Sequence, residues 1–422
     1  MIKLLMIADD FSGALDAGVQ FAARGAATRV VTDLDCDFLE TDAEVLVMVA
    51  ETRHLPPQKA YDVVYHVARN AREAGVPYIY KKTDSALRGN VGSELAAVMD
   101  AADADVMPFL PAFPKLNRVT RNGVHYVDGV PVAESIFGQD PFEPVTVSFL
   151  PDILRSQTEK PTVIHRLSGD AAPVCPGIQI YDAETDADLA RLSRALGTEG
   201  VHISAGCAGF AAALADLLKL HGPAPRQPRL PALFLVACGS VNPVTLRQMR
   251  MAEQHGLFVH IHLTPEQKLE PAWLESQECR EKIALWLEAV RENGRCIMDV
   301  NDPDGTEDTS AYARAHHLTT GELRERIAVQ LACIMKRLLD GGLDATMLCT
   351  GGDTLLALMR AVGVNELTPI CEMDTGTVLT SFAYRGKSYY IISKSGGFGE
   401  PRLFCELAAL VGGGNQKEDT AC

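Results

Sequence analysis

Two aspartates stand side by side where an apolar run stops, in Leu4-Leu-Met-Ile-Ala-Asp9-Asp10-Phe-Ser-Gly13, and Asp16 follows one turn later. Carboxylates at the end of a buried strand are costly decoration, and the chemistry they suit is binding a ligand's hydroxyls or taking a proton from one. Asp10 or Ser12 could do no more than cap the helix that follows, an explanation that does not reach Asp9. The adjacency departs from the phosphatase pattern of two aspartates separated by one residue, which argues against a phospho-aspartyl mechanism. Two further segments, Glu51-Thr-Arg53 and Lys81-Lys-Thr-Asp-Ser-Ala-Leu-Arg88-Gly-Asn90, end predicted strands on cations. Lys82, Arg88 and Arg53 would hold a carboxylate, bidentately where arginine is the donor, leaving Asp84 and Asp9 for hydroxyls or a proton. Lys81 reads as a solvated surface charge. The density of Asp84, Ser85, Arg88, Gly89 and Asn90 in one turn reads as function, and Pro111-Ala-Phe-Pro114 with Arg118 to Gly123 would add a lid.

The other half of the chain carries a different chemistry. Gly239-Ser240, Gly351-Gly352 and Gly396-Gly397 each follow a predicted strand. Beyond the carboxyl ends of parallel strands, a helix start points free N–H groups at an anion, and glycine lets backbone approach a phosphate. Ser240, Thr245 and Thr354 add hydroxyls, Lys394 a point charge, and Asp353 a ligand for magnesium, direct or through water. Singly, each turn is also what a tight turn or helix cap looks like; together they describe a nucleotide cradle. No G-x-x-x-x-G-K-[ST] occurs, and no G-x-G-x-x-G follows the first strand, so the usual phosphate loop and dinucleotide fingerprint are absent.

These residues need strands and helices to carry them. Ile2 to Ile7, Thr28 to Thr32, Val45 to Ala50, Tyr78 to Lys81 and Asp105 to Leu110 have strand patterns, with helices predicted from Ser12 to Arg24, Pro57 to Glu73 and Val91 to Ala101. That β-α-β-α order predicts a parallel sheet. Asp128-Gly129 marks a hairpin in an inserted stretch. Strands follow at Thr162 to His165, Ile178 to Tyr181 and Val201 to Ser204, then a helix from Cys207 to Leu220. His221 to Arg229 holds three prolines and no apolar period, which marks a linker between domains at 1–222 and 230–422. The second half restarts with strand Ala232 to Ala237 and a helix from Pro243. It continues through strands Leu257 to His262, Cys296 to Val300 and Ala345 to Cys349, a helix from Gly321 to Leu339, a hairpin around Arg385-Gly386 and a last helix, with a loose tail after Val411. The predicted fold class is α/β: two α/β domains whose largely parallel sheets face a central cleft.

Composition bounds the function. At 422 residues the chain exceeds a single small binding module, and 47% hydrophobic with 22% charged residues is ordinary for a globular protein. A formal net charge of −16 argues against a nucleic-acid partner. The 11 cysteines include no C-x-x-C pair and have no His-rich neighbourhood, which reads as reduced thiols rather than zinc ligands. The apolar start is cut off by Asp9 and Asp10, too early for a signal-peptide core, and the longest apolar runs are strand-sized, so a cytoplasmic protein without membrane contact is expected.

Taken in order, Ala8-Asp-Asp-Phe-Ser-Gly-Ala14, Glu51-Thr-Arg53, Lys81 to Asn90, Pro111-Ala-Phe-Pro114, Gly351-Gly-Asp-Thr354 and Lys394-Ser-Gly-Gly-Phe-Gly399 make the chain resemble the four-carbon acid sugar kinases, the group of D-threonate, D-erythronate and 3-oxo-tetronate kinases. Ser12 and Ala86 stand where that family usually has threonine, Asn117 where glycine is usual and Val49 where a polar residue is common. The resemblance implies a sugar-acid-binding domain over 1–222 and an ATP-binding domain over 230–422, with phosphate passed to the terminal hydroxyl. Asp9, Asp10, Arg53, Lys82, Asp84, Ser85 and Arg88 would line the acid site, with Asp84 or Asp9 as general base. Ser240, Gly351, Gly352, Asp353, Thr354, Gly396 and Gly397 would contact ATP, with Asp353 on Mg2+. A sugar acid and ATP are then the small-molecule partners, and a homodimer is a further expectation. Two other readings use the same pocket: a non-catalytic two-lobed sugar-acid sensor, and an NAD-dependent sugar-acid dehydrogenase, which the missing dinucleotide fingerprint disfavours.

Overall fold

A computed structural model describes residues 1–140, 143–167, 174–223, 225, 228–303 and 308–412. The chain forms two compact units, Met1–Pro225 and Arg226–Cys422.

The first unit has strands β1 (Leu4–Ala8), β2 (Thr28–Val31), β3 (Val45–Val49), β4 (Tyr78–Lys82), β5 (Val106–Leu110), β6 (Arg118–Arg121), β7 (Val124–Val127), β8 (Val130–Pro131), β9 (Thr162–His165), β10 (Gly177–Tyr181) and β11 (Ile203–Gly206). Eight of them form a sheet in the order β2-β3-β1-β4-β11-β5-β10-β9, with every pairing parallel. Parallel strands covered on both faces need no polar alternation, and β1 and β3 are buried at every position. Helices α1 (Phe11–Ala22), α2 (Pro57–Glu73), α3 (Val91–Ala102), α4 (Leu150–Arg155), α5 (Asp186–Gly200) and α6 (Ala208–Leu217) connect and cover them. Asp10, not Ser12, caps α1, accepting the Gly13 N–H at 2.9 Å. Helix α5, whose Thr185 capping box satisfies its first turn, has no counterpart in the sequence reading. The Asp128-Gly129 turn does join β7 to β8, in a small antiparallel sheet with β6.

Lys81 corrects an expectation. It is fully buried, because β4 lies between β1 and β11 and α3 covers its face. Its ammonium sits 3.0 Å from a Glu94 carboxylate oxygen and donates to the carbonyls of Ile7 at 3.1 Å and Lys82 at 2.7 Å. Removing one partner of such a pair strands the other charge, so Lys81→Met is expected to destabilise the unit by about 3–5 kcal/mol. Lys81→Met combined with Glu94→Leu is expected to recover most of that, as read from denaturant midpoints. A single variant as stable as the parent would show that the pair carries no such energy.

The second unit has strands β12 (Leu233–Cys238), β13 (Val259–His262), β14 (Arg295–Asp299), β15 (Ala345–Thr350), β16 (Glu366–Asp374), β17 (Thr377–Tyr384) and β18 (Lys387–Lys394), ordered β13-β14-β12-β15-β18-β17-β16. The first five are parallel and the last three antiparallel. Arg385-Gly386 makes the expected hairpin, with both residues at positive φ; β16 was not foreseen. Helices are α7 (Pro243–Gln254), α8 (Pro265–Leu269), α9 (Gln277–Asn293), α10 (Thr309–Ala315), α11 (Thr320–Asp340), α12 (Gly352–Val362) and α13 (Leu403–Gly412). Part of the predicted linker, residues 224, 226 and 227, and the tail from 413 lie outside the described residues. Among the described residues no helix is long and apolar enough to cross a membrane.

Candidate active site

In the first unit β3, β1 and β4 are neighbours, with Ala8 in register with both Val49 and Lys82. The segments that follow them therefore emerge together at the carboxyl edge of the sheet, where open parallel sheets bind ligands. Backbone ties seat the turn after β3 on the turn after β1: the N–H groups of Thr52 and Arg53 reach Asp9 O at 3.1 and 3.3 Å. Asn90 sews the same turn from the far side, donating to Thr52 O at 2.9 Å and Leu55 O at 2.8 Å. Gly89, at φ +81, lies so close to Arg53 that a Cβ would sit 2.9 Å from its Cγ.

Arg53 is the centre of the cluster. Its guanidinium lies 2.8 and 2.7 Å from Asp9 Oδ2, 2.8 Å from Asp10 Oδ1 and 3.7 Å from Asp84 Oδ1, with only 8% of the residue exposed. Arg88 takes both oxygens of Asp84, at 2.8 and 3.2 Å, and bridges to Asp140 at 3.1 Å. Burial pushes the Asp84 carboxyl up, yet Arg88, Arg53 and Arg118 outweigh it and hold the group well below the usual carboxylate range. Asp9 is shifted the same way: burial raises it, and Arg53, Lys82 and Lys81 together bring it below its ordinary value. Both are therefore ionised at neutral pH. They differ in occupancy, because among the described residues nothing donates a hydrogen bond to the buried Asp9 Oδ1.

Lys82 is buried at the end of β4 and donates to Thr83 O at 2.7 Å. A Cβ on Gly13 would lie 2.5 Å from Asp10 Oδ1 and 2.7 Å from Lys82 Nζ, so glycine at 13 is what lets lysine and aspartate approach the α1 start. Ser85 Oγ accepts from Arg118, and the Ser85 carbonyl meets His125 Nε2 at 2.9 Å. Burial drives His125 down to about 4, so it is a neutral prop. Arg88 and Arg118 both stack on Phe137, at 5.2 and 5.0 Å from its centroid. Arg118, Phe137 and Asp140 thus join a site whose sequence reading stopped at Arg88 and made Arg118 part of a lid. Arg53 and Arg88 also line a cavity of about 380 Å³ with Asn90, Glu143, Val145 and Gln157; Asp9, Asp10, Lys82, Asp84 and Ser85 are outside its lining.

In the second unit β12, β15 and β18 are neighbours, with Cys238 opposite Thr350 and Thr350 opposite Lys394. Their three glycine turns are consequently adjacent. A Cβ on Gly239 would fall 2.0 Å from Thr354 Oγ1, and one on Gly396 2.8 Å from Ser240 Oγ. Gly351, at φ +90, starts α12 without a side-chain cap, leaving the first-turn N–H groups of Gly352, Asp353 and Thr354 to an anion. Gly397 lies beside Asn242 Nδ2. Lys394 is fully buried and donates to Thr245 Oγ1 at 3.1 Å, Ser395 O at 3.0 Å and Gly396 O at 3.3 Å. With its donors engaged, it can offer an anion its charge rather than a hydrogen bond. Asn301, unnoticed in the sequence, donates to Ser240 O at 3.2 Å and to Asp299 Oδ1 at 2.7 Å.

Asp353 faces elsewhere: Arg324 of α11 donates to its Oδ2 at 2.6 Å. A carboxylate already neutralised by a guanidinium does not fit a magnesium ligand as placed. Asp299, the other acid near these turns, has Oδ1 taken by Asn301 and Oδ2 3.3 Å from His260.

Comparison with known proteins matches two family models, a sugar-binding N-terminal domain over residues 4–214 and a nucleotide-binding C-terminal domain over 235–404. The chain is 28% identical to a D-threonate kinase of Salmonella typhimurium strain LT2, covering 97% of this chain and 98% of that one. It is 27% identical to a D-erythronate kinase of Heliobacterium modesticaldum, over 86% and 87%. A 3-oxo-tetronate kinase of Cupriavidus necator is 26% identical, over 96% of both chains. Among solved structures, a Salmonella typhimurium LT2 protein described as a tRNA synthase aligns with a TM-score of 0.77 at 20% identity, over 96% of this chain and 99% of that one. A Haemophilus influenzae protein aligns at 0.72 and 19%, over 97% and 100%. At those identities the two structures speak for the fold alone.

Proposed function

The chain belongs to the four-carbon acid sugar kinase family, and from that premise we propose that it transfers the γ-phosphate of ATP to the terminal (4-) hydroxyl of a four-carbon sugar acid such as D-threonate, D-erythronate or 3-oxo-tetronate. The observation that carries the acid site is the Arg53 cluster, with Asp9 Oδ1 buried and lacking a hydrogen-bond donor. A hydroxyl is the donor that position fits. Asp9 then orients the attacking oxygen and receives its proton late, which suits the loose transition state of phosphoryl transfer and a carboxylate held below its usual range. Asp84, clamped by Arg88, holds the pocket's shape, and the cations Lys82, Arg88 and Arg53 attract the substrate carboxylate. Ser85 and Asp10 complete the wall.

ATP is proposed to lie across the turns at Ser240, Gly351–Thr354 and Gly396–Gly397, its phosphates on the α12 N-terminus. Magnesium, when bound with the nucleotide, would neutralise phosphate charge; the chain's own share is the first-turn N–H groups and the buried Lys394 ammonium. Burial lowers Lys394 to about 8. Its charge is present below that value and lost as pH rises through it, so the melting shift produced by ATP is expected to shrink above about pH 8 and to vary little over the same range in Lys394→Met. Stability without ATP moves oppositely, rising between about 8 and 10.5 because the unfolded lysine still holds its proton there. A wild-type ATP shift that does not change across that range would remove Lys394 from the phosphate site.

The reaction is tested by magnesium-dependent ADP release with D-threonate, D-erythronate and the 3-oxo-tetronates against a no-acid control. Strong stimulation by one acid is expected. No stimulation by any of them, with no ATP effect on melting, would overturn the reading.

A further inference from the structure

We propose that the edge of the second unit's sheet holds a divalent transition-metal site made by His260, His262 and Asp299, with Glu253 orienting His260. The strand register sets it up. His260 and His262 alternate onto one face of the edge strand β13, and Asp299, at the end of β14, is directly opposite His262. Glu253, in the last turn of α7, reaches His260. Among the described residues Glu253, His260 and His262 bring one ligand atom each within 4.8 Å of one another.

The atoms divide into two roles. His260 gives Nδ1 to Glu253 and turns Nε2 toward Asp299 Oδ2, 3.3 Å away. His262 Nδ1 points at the same oxygen, at 3.8 Å. Metal–ligand bonds of about 2.0–2.1 Å in a tetrahedron put neighbouring ligand atoms about 3.3 Å apart, which the His260–Asp299 separation matches and the His262–Asp299 separation approaches. A carboxylate on the outer nitrogen of a ligating histidine is the usual device for fixing its tautomer and ring angle. The imidazoles are stacked at 3.9 Å between centroids and 23° between planes, so the partly exposed His262 ring must turn for its nitrogen to meet that of His260 at one ion. Two imidazoles with one carboxylate select zinc-like ions over magnesium, which separates this position from any ion that accompanies ATP. Asp299 Oδ1 remains on Asn301, one hydrogen bond from the Ser240 turn.

The experiment is cobalt titration of the full-length untagged chain after chelator treatment, read by visible ligand-field absorption and zinc displacement. One equivalent of four-coordinate cobalt, displaced by zinc, is expected, with affinity falling at least about 100-fold in His262→Ala and about 10-fold in Glu253→Gln. His262 is partly exposed, so its variant is expected to fold; zinc should raise the melting temperature of the parent and leave that of His262→Ala unchanged. Equal affinity in parent and His262→Ala, thiolate charge-transfer bands marking cysteine ligation, or no retained cobalt would each overturn the site. None of these readouts depends on phosphotransfer.

Discussion

Asp9→Asn is expected to lower kcat by about 10²–10⁴-fold while the chain stays folded and ATP still raises its melting temperature. The replaced oxygen is the buried Oδ1 that accepts no hydrogen bond; Oδ2 is held by Arg53. An amide has the same shape but cannot take a proton, and with its oxygen kept on Arg53 it turns an N–H donor toward the hydroxyl. Apparent affinity for the acid should change much less than turnover, since the lost interaction strengthens as the oxygen attacks. Asp84→Asn makes the contrast: both its oxygens are engaged by Arg88, so stability should suffer more and kcat less. Near-normal turnover in Asp9→Asn with a collapse in Asp84→Asn would exchange the two roles.

Arg53→Met is the second large effect. It removes the guanidinium that touches Asp9, Asp10 and Asp84, leaving Asp9 with Lys82 and Lys81 alone to offset its burial while Asp84 keeps Arg88. A loss of about 3–5 kcal/mol is expected, which for a unit of this size lowers the melting midpoint by roughly 10 °C. The pH dependence identifies the cause. In the native chain Asp9 and Asp84 titrate below the ordinary 3.8, so their stabilisation is fully present above that value and is lost as pH falls through the folded values. Without Arg53, burial is opposed at Asp9 only by Lys82 and Lys81, and its carboxyl is expected to rise past the ordinary value. Acidification from neutrality should then stabilise the variant while leaving the parent unchanged or weaker. A variant whose stability falls with acid just as the parent's does would mean that Arg53 does not control these groups.

Much of this was legible in the residues themselves. Unbroken apolar runs at Leu4–Ala8 and Val45–Val49 can be satisfied only by a sheet covered on both faces. Asp9 and the three glycine turns were recognisable because strand-end acids and turn glycines are local features, and local features survive in a linear chain. Ser12 against Asp10 as the α1 cap was a matter of two residues, settled by which oxygen reached the Gly13 N–H. The His260-x-His262 spacing is visible in the chain, but the register that sets Asp299 opposite His262 is not.

The sequence by itself determined the α/β alternation, the two-part organisation and the identity of the strand-end residues, because strand burial, helix capping and glycine turns are decided within about a dozen neighbouring residues. Only the tertiary structure decided how those residues pair. It put β3, β1 and β4 side by side, gave Arg53 three carboxylates, buried Lys81 against Glu94, set Asp353 against Arg324 and drew Arg118 onto Ser85. Each of those outcomes depends on which strand or helix lies adjacent. Adjacency follows from closing long loops around a shared core, and a charge's neighbours, its ionisation and so its chemistry are fixed only when that closure is complete.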